Sequence, residues 1–269
     1  MDEELRIDEE VELRNAIMII GLDGWGNAGK ASTFTVKYLA DKLDARKFAE
    51  IPLNMFHDYL IQRPIVSIKD GIVQSYVSPK NEFFYWRNKD GGPDLVLLLG
   101  NEPHLNWQKY TKAILRMAEE VGVVRFYTIG GYLADVSHDS ETPITSSTNN
   151  KKAMAELKKV GLELTNYRGP TSVYSELLWL SRGRKLDVVS LWGAVPMYVG
   201  GIYPKAAYHI LRRIVQLIGI DVDLADLEKK AEAFGTQLER EVMTQPQMQG
   251  FIESLRKRRR QDEETTYIS

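Results

Sequence analysis

No cysteine occurs anywhere in the 269 residues, which excludes disulfides, thiol nucleophiles and cysteine-ligated zinc together. A net charge of one sign is also missing. The 35 basic side chains are matched by 37 acidic ones, so no overall field draws the chain to nucleic acid or to an anionic membrane. No apolar run nears the roughly 20 residues needed to cross a bilayer. The start, MDEELRIDEEVELRNA, is acidic where a secretory leader would be basic and then apolar, and the chain reads as cytoplasmic. Histidine is scarce: His57, His104, His138 and His209 stand far apart with no metal-ligand spacing, and neither metal nor cofactor is expected.

What is present is an ordinary globular composition, 43 % apolar, with the alternation of an α/β protein. Ala16 to Ile20 is a short continuous apolar run, as in a strand buried on both faces. Ala31, Phe34, Tyr38 and Leu39 then recur at helical spacing, and Phe48 to Leu53 can form the next strand. Ile65 to Val77 reads as a hairpin turned by Asp70-Gly71, and NEFFYWRN with DLVLLLG as a second strand pair. Helices are predicted over 107–121, 151–160 and 172–181, and strands over 123–129 and 186–192. The stretch VSHDSETPITSSTNN reads as a polar loop at a strand's carboxyl end, where α/β proteins often carry function.

The boundaries that follow are an acidic segment 1–15, an α/β core 16–220, a helical extension 221–260 and a flexible tail 261–269. In the extension, Leu224, Leu227, Ala231, Phe234 and Leu238 fall at alternating three- and four-residue steps, the narrow seam of a helix packed on a helix. Its partner is either another copy of the chain or a helix of the same chain. Arg256, Lys257, Arg258, Arg259 and Arg260 form a basic run, but without interleaved aromatics, and with acidic neighbours, it reads as a solvated helix end rather than a nucleic-acid site.

One stretch imitates a phosphate loop. In GLDGWGNAGKAS, Gly24, Gly26 and Gly29 match G-x-G-x-x-G, and Gly24, Gly29 and Lys30 nearly match the P-loop pattern. Ala31 cannot supply the hydroxyl that ligates magnesium, and Trp25 crowds the cradle. The acidic partner for a ribose is misplaced too, with Asp44 beyond the helix and Glu50 inside a strand. A strand-to-helix turn with Asn27 as N-cap is the preferred reading. The enzymatic alternative, a nucleotide- or phosphate-binding enzyme of phosphorylase or ligase type, would combine Gly24, Gly26, Gly29 and Lys30 with His138.

Together, GLDGWGNAGKAS, YLADVSHDSETPITSS, GPTSVYSELLWLSRG and LDVVSLWGAVPMYVGGIYPKAAYHIL resemble the proteasome assembly chaperone family, in its order. The resemblance implies a three-layer α/β sandwich with a mostly parallel mixed sheet, similar to the purine nucleoside phosphorylase fold, plus a helical C-terminal extension. It implies a non-catalytic, protein-binding role in assembly, with a homo-oligomer and proteasome subunits or another protein as partners. Some members of the family dock through a terminal hydrophobic-tyrosine-any tripeptide. Here Tyr267 is third from last and follows a threonine, so that motif is out of register. The protein-binding residues expected are therefore Leu224, Leu227, Phe234, Leu238 and Tyr267.

Overall fold

The computed structural model describes residues 4–184 and 186–258 in full, and residues 259–268 by their helical backbone. The acidic start supplies a two-residue strand, β1 (Arg6–Ile7), and the first apolar run becomes β2 (Ala16–Asp23), followed by α1 (Ala31–Lys42) and β3 (Arg46–Glu50). The β-rich stretch beyond forms β4 (Ile65–Lys69) and β5 (Ile72–Val77), then β6 (Glu82–Trp86) and β7 (Leu95–Asn101). Next come α2 (Trp107–Glu120), β8 (Val123–Ala134), β9 (Ile144–Thr148), α3 (Lys151–Lys159), β10 (Glu163–Leu164), α4 (Val173–Leu180) and β11 (Asp187–Pro196). Three helices follow: α5 (Pro204–Ile218), α6 (Ala225–Met243) and α7 (Pro246–Ile268).

Nine strands make one mixed sheet in the order β1-β3-β6-β7-β2-β8-β11-β9-β10. Its centre, β7, β2, β8 and β11, is parallel, and antiparallel pairs flank it on both sides. Successive residues of a strand point to opposite faces. Ile17 and Ile19 accordingly join one core with residues of α1, α3, α5 and α6, while Met18 and Ile20 join a second with residues of α2 and α4. Helices thus cover both faces, which is why β2 and β7 are apolar without alternation.

Two expectations change. The polar stretch 136–150 is only half a loop, because Ile144–Thr148 forms β9, antiparallel to β11 and parallel to β10. Its serines and threonines carry little strand signal, and the backbones on either side supply what the side chains do not. The second change concerns the seam. Leu227, Ala231 and Leu238 are buried, and Leu224 and Phe234 partly so, in the core that contains Ile210 and Ile214 of α5. Gly219, at φ 74°, ends α5 in the left-handed conformation and returns the chain onto it. Leu224, Leu227, Phe234 and Leu238 therefore line the inside of an α5–α6 hairpin, so a helix of the same chain packs on the seam. The backbone of α7 runs through the expected tail. The Tyr267 side chain lies outside the described residues.

Candidate functional site

The carboxyl ends of the parallel strands carry the glycine loop, and its donors are already engaged. Asn27 accepts the backbone N–H groups of Ser32 (3.0 Å) and Thr33 (3.1 Å), the second and third residues of α1. These are the groups a phosphate would use at a helix N-terminus. Asp23 Oδ1 accepts Lys30 Nζ (2.8 Å), Asn27 Nδ2 (2.7 Å) and the Gly24 N–H (3.1 Å). Burial pushes the Asp23 carboxyl up, but Lys30 and Asn27 outweigh it and hold it below the usual carboxylate range. Across the loop, Glu102 accepts the N–H groups of Trp25 (3.2 Å) and Val173 (2.8 Å), and burial raises its pKa. Two carboxylates thus occupy the surroundings a phosphate would need. The topology also departs from a dinucleotide fold, because β6 and β7 separate β3 from β2.

The glycines answer to packing. A Cβ on Gly26 would come within 2.8 Å of the Trp192 ring, and one on Gly130 within 2.4 Å. Both are bare so that the indole can lie against the backbone. Gly24 (φ 142°) and Gly29 (φ 56°) hold backbone angles that L side chains avoid.

His138 sits elsewhere, sharing no described cavity with Lys30. Its ring is buried, with Nδ1 2.9 Å from Tyr198 Oη and Nε2 2.8 Å from Glu239 Oε2. Its carbonyl accepts Lys205 Nζ at 2.8 Å. Arg256 on α7 bonds Asp139 (2.9 Å) and Glu239 on α6 (2.9 Å). Burial lowers the His138 pKa despite the opposing pull of Glu239 and Asp139. This constellation ties the 137–142 loop to α6 and α7, and the first member of the basic run serves as its clamp. The structure does not bring Gly24, Gly26, Gly29 and Lys30 together with His138 in one catalytic geometry.

What the sequence reading missed is a cavity of about 270 Å³ beside the glycine loop. Trp25, Tyr132, Tyr167 and Trp192 contribute its rings, and Thr145, Ser147, Thr165, Thr171 and Ser175 its hydroxyls. These residues come from the loop after β2, from β8, β9 and β11, from the segment between β10 and α4, and from the first turn of α4. Such scattered aromatics leave no spacing in the sequence. The one available signal was the bare pair Gly26 and Gly130.

The second unusual surface is the β4–β5 arm. Among the described residues it pairs with no other strand, and Ile65, Val66, Ile68, Ile72, Val73, Tyr76 and Val77 are all exposed. Asp70 (φ 52°) and Gly71 (φ 77°) turn it as the Asp-Gly pair predicts. Opposed pairs Ile65–Val77 and Val66–Tyr76 sit on successive registers, so apolar side chains cover both faces. Lys69 and Asp70, at the turn, are its only charged residues.

A nine-stranded α/β sheet covered on both faces, closed by a helical hairpin and opened by a glycine-tryptophan loop, defines the class of protein. The model of the PAC2 family matches residues 21–242, and the chain belongs to that family. A PAC2 family protein of Streptomyces avermitilis is 29 % identical, superposes with a TM-score of 0.76, and is matched over 84 % of this chain and 95 % of its own. A proteasome-assembly chaperone homologue of Mycobacterium tuberculosis is 27 % identical with a TM-score of 0.79, over 88 % of this chain and 99 % of its own. An uncharacterized protein of Methanocaldococcus jannaschii is 24 % identical over 249 residues, 91 % of this chain and 84 % of that one. These likenesses speak for the family's own fold, and the comparison with phosphorylases stays an expectation. Among the described residues no helix is long and apolar enough to cross a membrane.

Proposed function

We propose that this chain is a non-catalytic, cytoplasmic, assembly-chaperone-like protein that binds other proteins, in line with the proteasome-assembly chaperone homologue to which it is similar. The observation that carries the reading is the β4–β5 arm. An isolated two-stranded hairpin is marginal in water, and one with apolar side chains on both faces needs cover. The occupant it fits is a second copy of this chain. The only charge on either strand, Lys69, stands at the turn beside Asp70, so the arm carries no net charge that would repel its own image, and each strand keeps an outer edge that pairs with no described strand and that an identical strand can extend. The homo-oligomer then presents its remaining surfaces to proteasome subunits.

Sedimentation of the purified protein tests the arm. The wild type should run as an oligomer and the double variant Ile68→Asp, Val73→Asp as a monomer of unchanged circular dichroism. A wild type that is monomeric at every concentration defeats this use of the arm. Co-purification with recombinant proteasome core subunits from the same organism tests the partner, and free migration of the two would remove the proteasome from the proposal.

A further inference from the structure

The aromatic cavity beside the glycine loop has the construction of a ligand site. Two of its rings, Trp192 and Tyr167, are fixed by their polar ends and by glycines beneath them. Trp192 Nε1 donates to Ser190 Oγ (2.9 Å), which also accepts Thr128 Oγ1 (2.8 Å). Gly26 and Gly130 clear the space the indole fills. Tyr167 donates its hydroxyl to the Pro170 carbonyl (2.7 Å), and its ring lies over Gly169, where a Cβ would meet the phenol oxygen at 2.5 Å. Trp25 meets Trp192 edge to face, with centroids 6.2 Å apart. Yet Trp25 and Tyr167 keep 60 % and 62 % of their surface exposed. Rings left this open gain nothing for folding by their exposure, since their apolar area stays in water. Trp25 stands beyond the carboxyl end of β2, where open α/β sheets bind ligands, and Tyr132 and Trp192 line the cavity from the carboxyl halves of β8 and β11.

The lining chooses the ligand. No charged side chain faces the cavity, so a phosphate or carboxylate would be desolvated without a partner. Asn, Gln, Asp, Glu and Arg are absent from it, and those are the side chains that pair with base edges two atoms at a time. What it offers is flat aromatic faces and rotatable hydroxyls, each able to donate and accept. A volume just under the usual range for drug-sized ligands suits one ring. We propose that this cavity binds a neutral sugar: a single pyranose, free or as the end of a longer glycan, with its C–H face on Trp25, Trp192 or Tyr167 and its hydroxyls on Thr145, Ser147 and Thr165.

Saturation-transfer NMR with glucose, galactose, mannose and N-acetylglucosamine tests it directly, alongside adenosine, uridine and a proline-rich peptide. The expected result is saturable transfer from at least one sugar. Trp25→Ala and Tyr167→Ala should each weaken it by about tenfold or more, since each removes one stacking face. Both rings are exposed, so both variants should keep the wild-type melting temperature. Trp179→Ala, an exposed tryptophan outside the cavity, should change nothing. A matching trisaccharide that binds more tightly than its monomer would identify a glycan end, and equal affinity a free sugar. No saturable response to any sugar, responses to the nucleosides or the peptide alone, or sugar binding untouched by both cavity variants would each overturn the proposal.

Discussion

Leu227 on α6 is fully buried, whereas Ile68 on β4, no less apolar, keeps 60 % of its surface in water. Both belong to apolar runs, one read from the sequence as a helix seam and the other as a hairpin. The seam of α6 follows α5 after a short connection, and the neighbouring helix covers it at once. The arm forms a sheet of its own, with its apolar side chains exposed among the described residues. An apolar stripe therefore says that something must cover it, and only the topology says whether the cover is internal. Of the two partners the sequence allowed the seam, the structure places the helix of the same chain against it, and the proposed association falls to the arm.

The contrast can be broken most forcefully at the seam. Leu227→Asp should cost more than about 4 kcal/mol, because it empties a fully packed position and buries an unpaired charge. Urea unfolding should show loss of the folded state or a collapse of its midpoint. If the variant keeps wild-type stability and changes only its oligomeric state, the seam is not internal.

Acid should act on the covered regions next. Burial lowers the pKa values of His209 on α5 and His57 to about 4, helped at His57 by the neighbouring His104. Around His209, Glu141 pulls the other way, while Lys205, Arg212 and Arg213 add to the depression. Its Nδ1 accepts the Thr142 N–H at 2.9 Å, which fits the neutral ring. With the folded pKa below the unfolded one, unfolding takes up protons, so stability is complete above about pH 6.5 and is lost as pH falls toward 4. Each ring contributes on the order of 2–3 kcal/mol to that loss. Melting temperatures from pH 7.5 to 4 should fall mainly below 6.5. His209→Gln should flatten the fall, and an unchanged slope would refute the assignment.

The arm should give the opposite result in the same assay. Ile68→Asp with Val73→Asp should alter stability of the monomer by less than about 0.5 kcal/mol, as surface changes do, while abolishing association. A large destabilisation would mean that the arm is part of the fold. Smallest is the clamp: Arg256→Ala should cost roughly 0.5–1 kcal/mol, because its partners Asp139 and Glu239 are partly solvated. Thermal unfolding with added salt should shrink that difference further.

Much of the fold was legible where burial and local chemistry agree. The apolar run of β2, the Asp70-Gly71 turn, the β6–β7 pair, and α5 with Gly219 behind it all carry their own signals. β9 was not, since a strand spelled ITSST is made by its neighbours. β1 and β10, two residues each, are too short to leave a pattern. In the glycine loop the expected N-cap, Asn27, stands four residues before α1, whose N-cap position is Lys30, yet its side chain accepts two N–H groups of that helix's first turn. The reason for its glycines was hidden, because Trp192 is distant in sequence. The aromatic cavity was invisible for the same reason: proximity of four scattered rings is a property of strand order.

That strand order also sets a timetable. β11 is the last strand in the chain, yet it lies between β8 and β9, pairing with β8 along ten residues and with β9 along five. A ribosome must therefore deliver Pro196 before the two parts of the sheet can join. Until then β8 presents a bare edge, with Phe126, Tyr127 and Ile129 waiting for cover, for more than fifty residues of further synthesis. A protein of an assembly-chaperone family thus begins life with an open sheet edge of its own to protect.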